Sequence, residues 1–545
     1  MAEQSDSNQN PTKWSLLQMG AVCFFSSVGY CGFTSLPYYV YTHTGLFFFA
    51  YYILLVLICL PVTYVQLRLG ALHRSGVVAI FSHLVPILKG VAVALVIMTY
   101  LRSTTHALEI SYGIYYMFAS CQQPFPWAAV TEEANVTSRE AEITIFDNIK
   151  TTPEDTYFVN EFLQRSVHIG SWGPPVWYLV LAVLTVWILV YLSIVRGAAG
   201  FVKVLTVLVP VSALFILILL IYGYAAIPSA SSALHDFFTE EGERIQSTRR
   251  GQDHSLFAHF LSRPKIWLDS LELHIYGLGL WAGTLPLLGT HVTCKKKTIS
   301  MAWLLLLSLY GLVPHLLLVM LAPYIQPTYP GGTLAYEVGI KPGMSYLFVS
   351  IPHTFSKHGL SPFMAFLLYL TYVLISLQHL ALHALMVWQN IGPSIPKVII
   401  AFFRRSQFLL GAFCFASFLL TAPYASQCGI YLYQIIRFYM DRLLFALVIF
   451  SMVPFVIGFI RQESFRTPID RVFMGVWYGL ASVIAACLLI YNFVVFVYPE
   501  AVVSYERRWA ENMGWCVSIA PLLLGVLGAA LHTICTREGT LKQRL

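Results

Sequence analysis

Two apolar stretches of the chain are interrupted by glycines at corresponding places. The first reads SSVGYCG at residues 26–32, with Pro37 after it, and the second reads YGLGLWAG at residues 276–283, with Pro286 after it. Each begins a block of five apolar segments. Backbone polar groups cannot stay unsatisfied in lipid, so a helix that breaks at mid-membrane depth must line protein or a water-filled cavity. Matching broken helices in two halves indicate the central site of a transporter; the alternative is that the glycines only allow close helix packing.

The composition excludes a soluble protein. Of 545 residues, 57% are hydrophobic and only 11% are charged, and the mean hydropathy is +0.69. Soluble domains carry about 25% charged residues. The 33 Lys and Arg residues form no block typical of a nucleic-acid-binding surface, and no enzyme motif such as a Walker loop or HExxH is present. We therefore expect a polytopic, all-α membrane protein that is not an enzyme, has no organic cofactor and binds no nucleic acid.

The apolar segments predict about twelve transmembrane helices. A helix needs about 20 predominantly apolar residues to cross the hydrocarbon core. Segments of that quality lie at 15–40, 46–68, 88–119, 177–195, 201–227, 267–290, 299–323, 361–389, 407–424, 428–459, 471–498 and 513–535.

The basic residues predict the orientation in the membrane. Cytoplasmic loops are enriched in Lys and Arg, and Arg74, Arg196 and the lysines at 295–297 fall in alternate loops. The loop at 121–176 is acid-rich and carries Asn135 in a glycosylation sequon, so it is expected outside, and both termini are expected in the cytoplasm. The predicted division is a tail at 1–13, a first repeat at 14–227, an outer loop at 228–266, a second repeat at 267–459, two further helices at 460–536 and a tail at 537–545.

Short motifs along the chain resemble those of one known family. They are Leu36-Pro37-Tyr38, Tyr115-Tyr116-Met117-Phe118, Phe125-Pro126-Trp127, Gly200 with Lys203-Val204 and Pro210, Trp267 with Asp269, and Gly429-Ile430-Tyr431. Their order from about residue 14 to 498 is similar to that of the neurotransmitter:sodium symporter family (solute carrier family 6-like), and the chain resembles a divergent member of it. The resemblance implies two inverted five-helix repeats with unwound first and sixth helices, plus two extra C-terminal helices. It also implies a plasma-membrane carrier of small amino-acid-like or amine-like solutes, with sodium and chloride as coupling ions.

The resemblance also implies a substrate site at the two breaks and on the third helix. Its positions are Ser27, Gly29, His106, Tyr276, Gly277 and Gly279. Gly29 falls where amine transporters have an aspartate, so a family-like substrate would bring its own carboxylate. Tyr276 falls on the aromatic lid, and His106 replaces a tyrosine that touches the substrate carboxylate.

At the implied sodium and gate positions the chain departs from the family. The ion-binding positions are Phe25, Val28, Gly32, Gln378 and His379, of which Phe25 and Val28 offer backbone carbonyls. Gly32 replaces a sodium-binding asparagine, Gly277 replaces a Ser or Thr that helps bind sodium, and Gln378 and His379 replace the Asp/Thr and the Ser that complete the family's second sodium site. At the outer gate, Ser35 stands for an arginine and Arg437 for an aspartate. Hard cations need several oxygen ligands, so either sodium binds in a rebuilt site or coupling to sodium is weakened or lost.

Three functions stay open at this point. The first is a secondary transporter that works by alternating access with some sodium dependence. The second is a sodium-independent or proton-coupled carrier on the same fold, since ionisable residues within spans tend to mark pathways or relays. The third is a non-transporting sensor or membrane partner protein, because fold alone does not establish activity.

Overall fold

The computed structural model of the chain describes most of its residues. The described ranges are 13–43, 45–128, 152–166, 169–228, 230–231, 263–280, 282–293, 295–325, 342–395, 406–461, 468–494 and 507–536. Within these ranges the protein is helical, and the extended backbone is limited to one isolated bridge between Pro175 and Ser426. The prediction of an all-α fold is confirmed.

Twenty α-helices, numbered in chain order, build this part of the protein. They are α1 (Leu16–Phe33), α2 (Ser35–His43), α3 (Leu46–Leu54), α4 (Leu60–His73), α5 (Val77–Leu84), α6 (Lys89–Ala119), α7 (Pro153–Thr156), α8 (Trp177–Ile194), α9 (Gly197–Ala226), α10 (Pro264–Gly277), α11 (Thr284–Thr290), α12 (Lys296–Leu321), α13 (Pro342–Ser345), α14 (Ile351–Lys357), α15 (Pro362–Ile391), α16 (Ser406–Thr421), α17 (Gly429–Arg461), α18 (Pro468–Val494), α19 (Arg507–Leu522) and α20 (Ala529–Thr536). Single π-helical turns join α3 to α4 and α19 to α20.

The helices match the predicted membrane spans closely. Ten described helical segments are long and apolar enough to cross a bilayer, and the bent pair at 16–43 makes an eleventh. The predicted sixth span, 267–290, corresponds to α10 and α11, which have 14 and 7 residues and are each too short to cross alone. Large apolar side chains such as Leu181, Leu214 and Phe415 are more than half exposed, as expected for surfaces that face lipid tails. The chain is an integral, multi-pass membrane protein.

The first break lies inside α1, at Gly29. This residue has φ 42° and ψ −163°, a backbone conformation that essentially only glycine adopts without strain. The helical axis turns by 56° between Leu16–Ser27 and the segment Cys31–His43. The glycine at this position therefore bends the span in mid-course, as the sequence predicts.

The second break separates α10 from α11. Helix α10 ends at Gly277, and the chain turns through Gly279 and Gly283, with φ of 63° and 66°, before α11 begins. Helix α1 packs against α10, α12 and α15, so the two broken spans are neighbours in the bundle interior. Close backbone approach holds α11 in place: a Cβ at Gly70 of α4 would overlap the carbonyl oxygen of Pro286.

Candidate functional site

The first break is lined by polar groups from its own helix and from α15. The Ser27 hydroxyl donates to the carbonyl of Phe24 at 2.9 Å, and both Ser27 and Phe25 are buried. The Phe25 carbonyl lies 3.2 Å from Nδ1 of His379. A carbonyl oxygen only accepts hydrogen bonds, so Nδ1 carries the proton and donates it. The break is thus bonded to α15 by an imidazole.

Three buried histidines lie together beside this break. The rings of His106 on α6 and His379 on α15 are 5.7 Å apart, and those of His379 and His383 are 4.5 Å apart. The sequence placed His379 and His383 on one face of a helix by their spacing of four. What it did not predict is that His106 and His379, from two implied site positions, lie together, with His379 against Gly29. In the described part of the chain, no group of three or more His, Cys, Asp or Glu is arranged to hold a metal ion.

The second break is packed by aromatic and polar side chains. A Cβ at Gly277 would lie 2.8 Å from Cε2 of Tyr310, a residue of α12 that the sequence reading missed. The Tyr310 hydroxyl lies 2.9 Å from Nδ1 of His274. Gly279, the last of the predicted substrate positions, bends the chain so that a Cβ there would overlap the hydroxyl oxygen of Thr284. The Tyr310 ring therefore occupies the space that a side chain at residue 277 would need.

A buried cluster of four charged groups lies near the histidines. We call it the charge cluster: Arg102 and Glu109 on α6 with Arg437 and Asp441 on α17. All four are less than 10% exposed, and the two cations and two anions balance. Arg437 contacts Glu109 directly and lies 3.5 Å from Asp441, while Arg102 lies 3.5 Å from Glu109 and 4.0 Å from Asp441. Charge balance is what allows four such groups to be buried together.

The predicted lid residue belongs to the same cluster. The Tyr276 hydroxyl donates to Asp441, and the Arg102 guanidinium lies 5.5 Å from the centre of the Tyr276 ring, within range of a cation–π contact. Tyr433, which the sequence reading missed, donates its hydroxyl to Glu109. The other Glu109 oxygen, Oε2, has no hydrogen-bond partner in the described residues, although Glu109 is fully buried. Asp441 and Arg102 therefore contact Tyr276 directly, and Glu109 of the same cluster keeps one oxygen without a hydrogen-bond partner among the described residues.

The two predicted gate residues differ in their burial and in their contacts. Ser35 is partly buried at the start of α2, whereas Arg437 is buried and engaged in the charge cluster. Of the remaining predicted positions, Gly32 is buried next to the first break. Gln378 is 4% exposed, and its Oε1 has no hydrogen-bond partner among the described residues. The Val28 side chain and Asn135 lie outside the described residues.

The residues at the two implied sodium positions do not fit a sodium ion bound in the family's manner. At one, the Phe25 carbonyl accepts an N–H from His379, so a hydrogen atom points at the oxygen that a cation would need. At the other, Gly32 and Gly277 supply no side-chain oxygen, and the Tyr310 ring packs against Gly277. The His379 ring lies against Gly29 at the first break, and the Tyr310 ring lies against Gly277 at the second.

A cavity of about 830 Å³ opens at the end of the bundle where basic loop residues gather. Its lining includes Arg74, Lys89 and Arg196, and it reaches His291 at the end of α11. The His291 ring stacks on Trp14, with centroids 4.0 Å apart. At the opposite end, Nε2 of His43 lies 2.6 Å from Asp269 and joins α2 to α10. A contact therefore joins the two broken spans at each end of the bundle, and the cavity lies beside the contact between Trp14 and His291.

Comparison with known proteins gives matches over nearly the whole chain. The model of the sodium:neurotransmitter symporter family matches residues 19–536. The sodium-dependent serotonin transporter of Drosophila melanogaster is 24% identical over 93% of this chain and 80% of its own length. The sodium- and chloride-dependent neutral and basic amino acid transporter B(0+) of Mus musculus is 24% identical over 99% of this chain and 88% of its own length. The crystal structure of MhsT in complex with L-phenylalanine shares the fold, with a TM-score of 0.58 at 15% identity, over 91% of this chain and all of that one.

Proposed function

The chain belongs to the sodium:neurotransmitter symporter family, and from that premise we propose that it is a secondary carrier that moves a small amino-acid-like or amine-like solute by alternating access. One observation supports this most directly. Two neighbouring spans, α1 and the α10–α11 pair, break in mid-course and turn their breaks toward a buried polar interior. Broken helices of this kind are where secondary transporters bind substrate.

The charge cluster supports a solute that carries charged groups. Arg102 lies against the Tyr276 lid and near Asp441, so a cation and an anion face the position that the resemblance gives to the substrate. A solute with an ammonium and a carboxylate can exchange partners with these two groups without leaving a charge unpaired. Of the relatives named above, B(0+) is a transporter of neutral and basic amino acids, which carry both groups, whereas serotonin carries an ammonium group and no carboxylate.

The two ends of the bundle support the alternating-access part of the proposal. The cavity of about 830 Å³ opens at the end rich in Arg and Lys, where Trp14 stacks on His291, while the His43–Asp269 contact joins the broken spans at the other end. By the distribution of basic residues, the end with the cavity is cytoplasmic. We accordingly place both termini in the cytoplasm, the loop with Asn135 outside, and the protein in the plasma membrane.

Uptake into proteoliposomes tests the proposal. The purified full-length protein is reconstituted, and a radiolabelled L-amino-acid mixture and radiolabelled serotonin are supplied in sodium chloride and then in choline chloride, each at two pH values. We expect saturable uptake that choline reduces little or not at all, because most side-chain sodium ligands are substituted. Uptake that follows pH and not sodium would favour the proton-coupled version.

A pair of variants separates the central site from general damage. His106→Ala removes a buried ring next to the first break and is expected to abolish uptake. His358→Ala is the control, because His358 is partly exposed just after the end of α14, and uptake should persist. Equal uptake by His106→Ala and the wild type would remove the central site from the mechanism.

A second function is favoured by one specific observation. The Arg102 side chain lies under the Tyr276 lid and is bound within the charge cluster, so the protein's own groups occupy part of the central space. That arrangement suits a non-transporting relative that acts as a sensor or membrane partner. Absence of saturable uptake of any supplied solute by correctly inserted protein would favour this function and contradict the carrier.

A further inference from the structure

His379 makes a contact that joins two helices at the first break. Its side chain is 6% exposed, and Nδ1 donates to the carbonyl oxygen of Phe25 across 3.2 Å. The two residues belong to α15 and α1, which pack along each other. A buried carbonyl without a donor or a cation is costly, and the imidazole N–H meets that requirement from within the chain.

The same ring is matched to the glycine at the break. A Cβ on Gly29 would lie 2.8 Å from Cε1 and 2.9 Å from Nδ1 of His379, closer than real Cβ atoms approach. The absence of a side chain at residue 29 therefore makes room for the imidazole. A glycine with a positive φ and a histidine 350 positions later form one packed unit.

The electrostatic surroundings of this unit oppose a metal cation. Arg102 on α6 acts electrostatically on the His379 ring. The neighbouring imidazoles are His106 on α6 and His383 on α15, while α1 contributes an uncharged carbonyl and a glycine. Like-charge repulsion from Arg102 therefore opposes a further cation beside this contact.

We propose that His379 is a built-in replacement for the second sodium ion of the fold, its Nδ1–H holding the Phe25 carbonyl and so fixing α1 to α15 without any bound cation. This role of His379 rests on the proposed function where it concerns the carrier's need for sodium, but the contact between His379 and Phe25 belongs to the folded helix bundle itself. Its test needs no transported solute, so its failure and that of the proposed function are distinguishable.

Thermal unfolding of the purified full-length protein in detergent tests the replacement, with sodium chloride added against choline chloride at constant ionic strength. Binding of an ion to the folded state alone raises the unfolding temperature with concentration. We expect no sodium-specific rise for the wild type. His379→Ser removes the N–H donor and supplies a hydroxyl oxygen, so this variant should unfold at a lower temperature in choline and recover saturably in sodium.

The neighbouring histidine gives the matched control. His383→Ser makes the same chemical change one helical turn away and should show no sodium-specific recovery. A sodium response in His379→Ser no larger than that in His383→Ser overturns the proposal, as does a wild-type response equal to that of His379→Ser.

A second variant keeps the test decisive if the serine variant does not fold. His379→Asn retains an N–H group one bond beyond Cγ, where Nδ1 lies in histidine. It should unfold near the wild-type temperature and remain insensitive to sodium. An asparagine variant that is strongly destabilised in choline contradicts the hydrogen-bonding role of Nδ1.

Discussion

Replacement of Gly29 by alanine is expected to destabilise the protein strongly. Two effects act at once. The backbone at φ 42° and ψ −163° lies in a region that costs a residue with a Cβ about 1–3 kcal/mol. The added methyl group would also lie 2.8 Å from the His379 ring, and overpacking a buried site costs about 1–3 kcal/mol. The free energy of unfolding should fall by about 2–6 kcal/mol.

Equilibrium denaturation of the purified protein in detergent micelles, followed by circular dichroism, measures this loss. Gly311→Ala is the matched control, because Gly311 lies in α12 and a Cβ there meets nothing within 4 Å. Alanine favours a helix over glycine by about 0.5–1 kcal/mol, so the control should be neutral or slightly stabilised.

A double variant separates the two effects. In Gly29→Ala/His379→Ala the ring is gone, so the overlap disappears while the backbone strain remains. The combined loss should be smaller than the sum of the single losses by about 1–3 kcal/mol, because residues in contact are not additive. If Gly29→Ala proves as stable as Gly311→Ala, or if the two losses add fully, the packed unit of Gly29 and His379 does not exist as described.

Two further predictions concern packing and charge, and the same denaturation assay checks both. Glu109→Gln removes the carboxylate that both Arg102 and Arg437 contact, so two buried cations lose a partner. The free energy of unfolding should fall by about 3–5 kcal/mol. An unchanged free energy of unfolding would show that these ion pairs do not form. Gly70→Ala places a methyl group on the carbonyl of Pro286, where the backbone cannot shift easily. This variant should lose far more stability or folding yield than Gly311→Ala. Wild-type stability would contradict the close approach of α4 and α11.

Much of the fold could be predicted because its signals are local. A run of about 20 apolar residues has one low-energy state in a bilayer, a helix. The predicted spans therefore agree with the helices, for example 88–119 against Lys89–Ala119 and 177–195 against Trp177–Ile194. The break at Gly29 was predictable for the same reason, since glycine and its neighbours interrupt the apolar run themselves.

The candidate site was predictable only in part. The resemblance pointed to Gly277 as a lost sodium ligand, but nothing in the sequence indicated that Tyr310 packs against it. Likewise Arg437 was noted as a substituted gate residue, whereas its buried contacts are with Glu109 and Asp441. Spacing of three or four residues relates positions on one helix, but it carries no information about which face meets another helix.

The sequence by itself determined a bundle of lipid-spanning helices, two of them broken, because both properties depend on neighbouring residues and on the cost of burying backbone in hydrocarbon. Only the tertiary structure decided what fills the breaks. His379 reaches the Phe25 carbonyl across 354 positions of chain. Such a contact exists because the helices pack in one particular arrangement, in which an imidazole N–H on one helix meets a carbonyl at the break of another.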